Sequence, residues 1–338
     1  MPPPTSPPTP LTPTTLFSAL VLGAGPAGLS AALSLSRLAH PVAIFTTATF
    51  RNERAQHAHT ILSRDHTPPA EIRRVAREQI EAYGTTVFIE RGVVKARRVH
   101  GGFEVEDGEG GKWRGRKIVL AMGVRDVLPT RIEGYVENWG TNIYQCLFCD
   151  GIERSDRPAG LLGFPNAMAG HNVGMMVQMG CPNVTIFGDG ELEVKDEATR
   201  KALEIAKLKG AVVDERRIEK LVNLGEENGV EIRFGDGSSE RLGFLVHKPD
   251  VEIVSPEIAR GLGVEIIDDG FGGQMLKRNE PFGETNVKGV LTAGDASILM
   301  RQVTAAMFQG GAAGAGVHFL ISQDEERELE KKLQDSKA

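Results

Sequence analysis

Residues 17–28 limit what this chain can fold into more than any other stretch. Phe17 to Leu22 is apolar but for Ser18, a run of the kind a buried strand shows. It runs into Gly23-Ala24-Gly25-Pro26-Ala27-Gly28, and Leu29 to Leu38 then has the composition of a helix. Strand, G-x-G-x-x-G and helix in that order predict a dinucleotide-binding βαβ unit. Gly23 allows the tight turn, Gly25 lets the backbone approach a pyrophosphate, and Gly28 lets helix and strand pack closely. Pro26 and Ala27 fill the turn before the helix, whose N-terminus faces the anion. The competing reading is a glycine-rich turn with no ligand, and the flanking strand and helix count against it.

The rest of such a domain can be followed along the chain. A second strand, Pro41 to Thr46, ends without the usual ribose-binding acid; Thr46 is left to hydrogen-bond a hydroxyl. Phe50-Arg51-Asn52 and His57-Ala58-His59 follow in a loop, where they either line the cofactor or simply make the loop polar. Glu71 to Tyr83 reads as a charged amphipathic helix, Val87 to Glu106 as a small meander, and Lys117 to Ala121 as a buried strand. That strand ends in Ala121-Met122-Gly123, an Ala-x-Gly end that either lets a backbone pass close to a cofactor or is a simple turn. Near the C-terminus, Gly289 to Asp295 is a short strand that delivers Gly294 and Asp295 at its end. Arg301-Gln302-Val303 then starts a small-residue helix, Ala305 to Leu320.

Cys146-Leu147-Phe148-Cys149-Asp150-Gly151 is the stretch that carries chemistry. Two cysteines at this spacing can close a small disulfide, and the adjacent acid can move a proton to or from a thiol. Half of a zinc site is the alternative. Zinc would need a second Cys/His pair at ligand spacing, and the third cysteine, Cys181, has no such neighbour. Cys181 is expected to be buried and structural. No metal site is expected.

Ala159 to Leu162, Gly163-Phe164-Pro165-Asn166-Ala167-Met168-Ala169-Gly170, a helix from His171 to Gly180 and a strand from Asn183 to Phe187 repeat the nucleotide-fold layout without its fingerprint. Pro165 stands where the second glycine belongs. Met168 stands at the third, adding bulk where the helix should approach the strand. The next loop carries Asp189, Glu191 and Glu193, where an NADP 2′-phosphate would want arginine. Asp189 could instead serve an NAD ribose, although the glycines for that are missing.

Composition sets outer bounds. The chain has 338 residues, 41% hydrophobic and 25% charged, enough for two ordinary globular domains. A net charge of −6 with no Lys/Arg-rich run argues against a nucleic-acid partner. No apolar run is long enough to span a membrane, and no basic segment precedes Leu16-Phe17-Ser18-Ala19-Leu20 to make a signal peptide. A cytoplasmic, reducing location is expected, where a C-x-x-C is usually catalytic. Residues 1–15 are Pro/Thr-rich and expected to be disordered, and 324–338 read as a charged helix or tail.

The G-A-G-P-A-G, the C-x-x-C-D-G and the G-D … R-Q-x-x-T-A-A, in this order over about residues 17–322, resemble the low-molecular-weight thioredoxin reductases. Within that group the chain most resembles the fungal, gliotoxin-type dithiol oxidases of epipolythiodioxopiperazine biosynthesis. Tyr144 to Gly151, Phe50-Arg51-Asn52 with His59-Thr60, Ala121 to Pro129 and the lost second fingerprint carry that likeness.

The resemblance implies an α/β fold with two nucleotide-binding, Rossmann-like domains, the second inserted in the first. Residues 16–130 and 248–325 would bind FAD, 131–247 would hold the C-x-x-C, and 326–338 would be a charged tail. It implies FAD contacts from Gly23, Gly25, Pro26, Ala27, Gly28, Thr46, Arg51, Asn52, His59, Ala121, Gly123, Gly294, Asp295, Gln302 and Val303. Cys149 would sit beside the flavin, Cys146 would exchange with a substrate sulfur, and Asp150 would be the acid/base. A small dithiol and O2 would be the reactants of a homodimer. Some relatives carry a histidine just before the first cysteine; here it is Gln145, which cannot act as a base. The rival expectations are an NADPH-dependent thioredoxin reductase and a flavin-containing redox-sensing module.

Overall fold

The computed structural model describes residues 11–225 and 227–337, and the chain forms two units. The first takes in the chain to Arg51, Ala70–Arg125 and Val251 onward; the second is Asn52–Pro69 with Asp126–Asp250. The stretch expected as one block, 16–130, is thus interrupted: residues 52–69 cluster with the C-x-x-C and not with the glycine-rich turn. Residues 1–10 of the expected tail lie outside the described residues. Leu11 already packs against core side chains, and Thr12 to Thr15 form a turn.

The first unit is organised by β1 (Leu16–Leu22), buried at every residue after Leu16. A strand covered on both faces needs a nearly continuous apolar sequence, which Phe17 to Leu22 supplies apart from Ser18, whose Oγ is hydrogen-bonded to Nδ1 of His40 at 2.8 Å. It pairs in parallel with β2 (Val42–Phe45) on one side, Ala19 opposite Val42, and with β6 (Lys112–Leu120) on the other, Leu22 opposite Leu120. β3 (Thr86–Ile89) extends the sheet beyond β2, and β5 (Gly102–Asp107) and β4 (Val93–Val99) extend it antiparallel beyond β6. The order is β3-β2-β1-β6-β5-β4, with β19 (Val290–Thr292) pairing the last residues of β6. β6 is longer than the expected strand because its first half serves the meander and its second half the parallel core.

Two helices cover one face of this sheet. α1 (Pro26–Ser36) packs on α7 (Val303–Asp335) through small residues. A Cβ on Gly310 would lie 2.0 Å from the carbonyl oxygen of Ala27, and one on Gly314 would lie 2.7 Å from that of Ala31. The glycines of α7 are what allow this approach. α7 runs unbroken to Asp335, so the residues expected as a charged tail are helical to that point. α2 (Pro69–Glu81), α6 (Pro256–Leu262), the hairpin β17 (Ile266–Asp268) and β18 (Gln274–Leu276), and the pair β7 (Val124–Asp126) and β16 (Val251–Ile253) complete the unit.

The second unit has a parallel sheet in the order β11-β10-β9-β15-β8. Its strands are β8 (Ile143–Tyr144), β9 (Ala159–Leu162), β10 (Val184–Phe187), β11 (Val212–Asp214) and β15 (Phe244–Val246). α4 (Ala169–Gln178) and α5 (Glu197–Leu208) pack on it around Phe164, Val173, Met176 and Leu203. A three-stranded antiparallel sheet, β12 (Ile218–Asn223), β13 (Val230–Phe234) and β14 (Ser239–Leu242), adds a second small core with α3 (Tyr135–Asn138). Both units are α/β nucleotide-type folds. No helix among the described residues is long and apolar enough to cross a membrane.

Candidate redox centre and cofactor cradle

At the C-terminal end of β1 the glycines take different roles, and the space around each shows which. Gly23 sits at φ +110°, and a Cβ there would come within 2.3 Å of the Ala121 carbonyl oxygen. A Cβ on Gly28 would lie 1.9 Å from the Gly23 carbonyl oxygen. Both glycines are therefore required by the protein's own packing. Gly25 differs: it caps α1 in an extended conformation, and a Cβ there meets nothing within 4 Å. The opening lies at a helix N-terminus whose first N–H groups have no intrahelical partner, which is where a pyrophosphate belongs. Gly123, at φ +72°, also faces open space. The residues present fit FAD at this turn.

Other expected cofactor residues of this unit gather from distant parts of the chain. Thr46 is buried just past β2, and its Oγ1 accepts the Ala48 N–H at 3.0 Å. Arg51 donates from Nη1 to Oδ2 of Asp295 at 3.0 Å, joining the loop after β2 to the end of β19. Gly294, at φ +84°, would bring a Cβ to 2.9 Å from that of Ala27, and its N–H donates to Oε1 of Gln309 at 2.7 Å. Gln302 is the N-cap of α7, and Val303 is its first residue. Asn52 and His59 were grouped with these residues by the sequence; the structure puts both in the second unit.

The redox loop follows β8. Cys146 and Cys149 are half-buried and joined as a disulfide, with Cα atoms 5.3 Å apart. The Cys149 and Asp150 N–H groups both donate to the Cys146 carbonyl at 3.1 Å, making the tight turn that brings the two sulfurs together. Arg154 anchors the loop from behind. Its buried guanidinium donates to Oδ1 of Asn142 at 2.6 Å and to the Thr141 carbonyl at 3.0 Å, and the latter also accepts the Tyr144 hydroxyl at 2.6 Å.

His59 comes from a segment far away in sequence. Its Nδ1 lies 2.5 Å from the Cys149 carbonyl oxygen. A carbonyl only accepts, so Nδ1 carries the proton. A cavity of about 230 Å³ opens here, lined by His57, His59, His66, Tyr144, Asp150 and Glu153 among others. His66, Glu153 and Arg154 had no sequence signal pointing to this site. Cys181 lies elsewhere, packed beside Met176 and Met179 at the end of α4; it is half-buried, not buried as expected, and burial raises its thiol pKa.

The second nucleotide-type turn is built differently from the first. α4 starts at Ala169, three residues later in the motif than α1 does, so Met168 is an N-cap whose side chain is 59% exposed. The expectation that Met168 would wedge helix from strand is therefore corrected: the late start turns it outward. The first amides are already occupied, Met168 N–H by Oδ1 of Asn166 at 3.0 Å and Ala169 N–H by the Asn166 carbonyl at 3.0 Å. Asp189, read from the sequence as an acid facing the nucleotide position, is engaged within the protein instead. It is buried, ion-paired with Arg131, and accepts the Ile218 N–H at 2.8 Å. Glu191 and Glu193 remain exposed.

Known proteins share this arrangement. The model of the pyridine nucleotide-disulphide oxidoreductase family matches residues 17–310. The chain is 38% identical to the thioredoxin reductase sirT of Leptosphaeria maculans, over 90% of this chain and 94% of the relative. It is 34% identical to the thioredoxin reductase tcpT of Claviceps purpurea, over 88% and 92%. Among solved structures, an oxidoreductase from Agrobacterium tumefaciens superposes with a TM-score of 0.81 at 29% identity, covering 91% of this chain and 99% of that one. HlmI superposes at 0.85 and 26% identity, covering 98% and 100%. With a glycine cradle that fits FAD and a C-x-x-C disulfide, the chain belongs to the pyridine nucleotide-disulphide oxidoreductases, as a thioredoxin reductase-like FAD protein.

Proposed function

We propose that the protein is an FAD-dependent dithiol oxidase that closes an intramolecular disulfide in a small molecule of the epipolythiodioxopiperazine type, with O2 as terminal acceptor. One contrast carries the reading. The Cys146–Cys149 disulfide is partly open to solvent, while the turn after β9 has its first amides bonded to Asn166. A reductase driven by a pyridine nucleotide needs that turn for a pyrophosphate, and Pro165 adds a residue with no N–H to give. The fungal relatives sirT and tcpT bear the name thioredoxin reductase; they agree with a C-x-x-C flavoenzyme and leave the direction of electron flow to the nucleotide turn.

The exchange is two displacements at sulfur. A substrate thiolate attacks Sγ of Cys146, forming a mixed disulfide and releasing Cys149 as thiolate. The second substrate thiol, deprotonated, attacks the substrate sulfur of that mixed disulfide; the ring closes and Cys146 leaves as thiolate. Asp150 handles the thiol protons. Gly25 with the start of α1 would hold the FAD pyrophosphate, Gly23 and Gly28 shape the turn that presents them, and Thr46, Arg51 and Asp295 order the loops around it. FAD, when bound, would supply the two-electron acceptor that restores the Cys146–Cys149 disulfide, with O2 as the final oxidant and hydrogen peroxide as its product. The active form is a homodimer, a reading supported by Met300, Phe308 and Phe319, which are 64%, 73% and 48% exposed in the single chain.

Anaerobic mixing tests the direction of flow. Excess NADPH leaves the flavin spectrum oxidised over minutes, a small bridged or vicinal dithiol bleaches it, and air restores it with peroxide formed. Rapid bleaching by NADPH would make the protein a reductase. Bleaching by neither, in a folded yellow protein, would favour a sensing module.

A further inference from the structure

None of the three histidines beside the redox loop gives or takes a proton in the exchange described above, yet two of them converge with an acid. Ala58 pairs with Thr67 as an antiparallel bridge, its N–H donating to the Thr67 carbonyl at 2.8 Å. His59 and His66 are the next pair inward, so the hairpin sets them opposite each other. Nε2 of His59 lies 2.9 Å from Nδ1 of His66 and 3.4 Å from Oε1 of Glu153. All three ligand atoms lie within 4.8 Å of one another.

We propose that His59 Nε2, His66 Nδ1 and the Glu153 carboxylate form a binding site for Zn2+, with its remaining coordination open to the cavity. Three observations carry this. The donor set, two imidazoles and one carboxylate, is that of a zinc site which keeps an open position. A tetrahedral zinc with bonds of about 2.0–2.1 Å holds its donors roughly 3.3 Å apart, close to the two separations measured from His59.

The ligands also have the outer partners such sites use. Nδ1–H of His59 donates to the Cys149 carbonyl, which fixes the tautomer that leaves the Nε2 lone pair available. Oε2 of Glu153 accepts the Gly151 N–H at 3.1 Å, leaving Oε1 turned toward His59. The His57 ring stacks on that of His66, centroids 3.9 Å apart and planes within 12°, and orients it. His66 itself is held at φ +56°, a left-handed conformation that a non-glycine residue adopts only when its surroundings impose it.

The expectation of no metal rested on the cysteines alone; the proposed site uses none of them. It also stands apart from the oxidase reading, because zinc binding can be measured whichever way electrons flow. The experiment is equilibrium binding of ZnCl2 to the FAD-loaded protein, with Co2+ as a spectroscopic substitute. It is done on the wild type, His66→Ala, Glu153→Gln, and a Cys146→Ser/Cys149→Ser double variant that removes the thiols as competing ligands. FAD absorbance and far-UV circular dichroism check that each variant is folded.

About one equivalent should bind to the wild type and to the double serine variant alike, and Co2+ should give the visible bands of a tetrahedral nitrogen and oxygen site. His66→Ala and Glu153→Gln should each weaken binding by about tenfold or more. No binding by folded wild type, binding unchanged in both ligand variants, or binding lost only in the double serine variant would each overturn the site and leave His59 and His66 as a hydrogen-bonded pair.

Discussion

Nδ1 of His59 donates its proton to the carbonyl oxygen of Cys149 at 2.5 Å, across 90 residues of sequence. The bond ties the hairpin of residues 58–67 to the peptide immediately after the second redox cysteine. His59→Ala leaves that carbonyl without its donor and the Cys146–Cys149 turn less constrained. Dithiol-driven bleaching of the flavin is expected to slow by up to about tenfold, given the roughly 0.5–1.5 kcal/mol such a hydrogen bond contributes. His59→Gln, which can still donate, should recover part of the rate in stopped-flow absorbance. Equal rates in the Ala and Gln variants would remove the bond from any role in exchange.

Gly25 offers a separation that Gly23 and Gly28 do not. Its backbone is ordinary for any residue, and a Cβ there meets no protein atom. Gly25→Val should therefore fold with a melting temperature close to that of apo wild type yet purify colourless, because the side chain occupies the pyrophosphate's space. Gly28→Val should fail to fold, its Cβ meeting the Gly23 carbonyl at 1.9 Å. Flavin absorbance per chain, read beside circular dichroism, distinguishes the two.

The two cysteines of the disulfide are expected to be indispensable and unequal. On the proposed relay, Cys146→Ser should free a Cys149 thiolate that gives a long-wavelength absorbance band with oxidised FAD. Cys149→Ser should lack the band and retain substrate on Cys146, seen as an adduct by intact-protein mass spectrometry. Cys181→Ser should keep wild-type turnover. A Cys146→Ser or Cys149→Ser variant that turns over normally would refute the relay.

His247 makes the second unit acid-sensitive. Burial first, then the Arg131 charge, holds its pKa down to about 4, and the neutral ring accepts the Tyr135 hydroxyl at Nδ1, 2.6 Å away. Burial also raises the Tyr135 pKa, so that hydroxyl stays protonated. A base with a depressed folded pKa favours folding while it is neutral in both states. Its contribution is whole above pH 6.5 and is lost as pH falls toward 4, because the unfolded chain takes up the proton first. The loss is at most about 3 kcal/mol. His247→Gln keeps an acceptor for Tyr135 without the titration, so the stability gap between wild type and variant should shift by up to that amount between pH 7 and about 4 in urea unfolding. A gap independent of pH would show that His247 does not carry the effect.

What the sequence determined by itself was local. Phe17 to Leu22, the glycines after it and the small residues of 305–320 specify a buried strand, a tight turn and a close-packing helix, because each of those demands acts on consecutive residues. The pairing of Cys146 with Cys149 was legible for the same reason. The second turn was legible as degenerate, but its physical cause was not. Only the late start of α4 shows that Met168 points outward and that Asn166 occupies the amides, and only the fold brings Arg131 to neutralise Asp189.

The surroundings of the redox loop were decided by tertiary structure. Arg51 meets Asp295, and His59 meets Cys149 and Glu153, through loops that no periodicity announces, since loop side chains answer to distant partners rather than to a helix or strand repeat. The sequence offered His57 and His59 as candidates for the cofactor. The bridge from Ala58 to Thr67 closes a hairpin that turns His59 and His66 toward each other, and that hairpin clusters with the C-x-x-C unit and not with the glycine cradle.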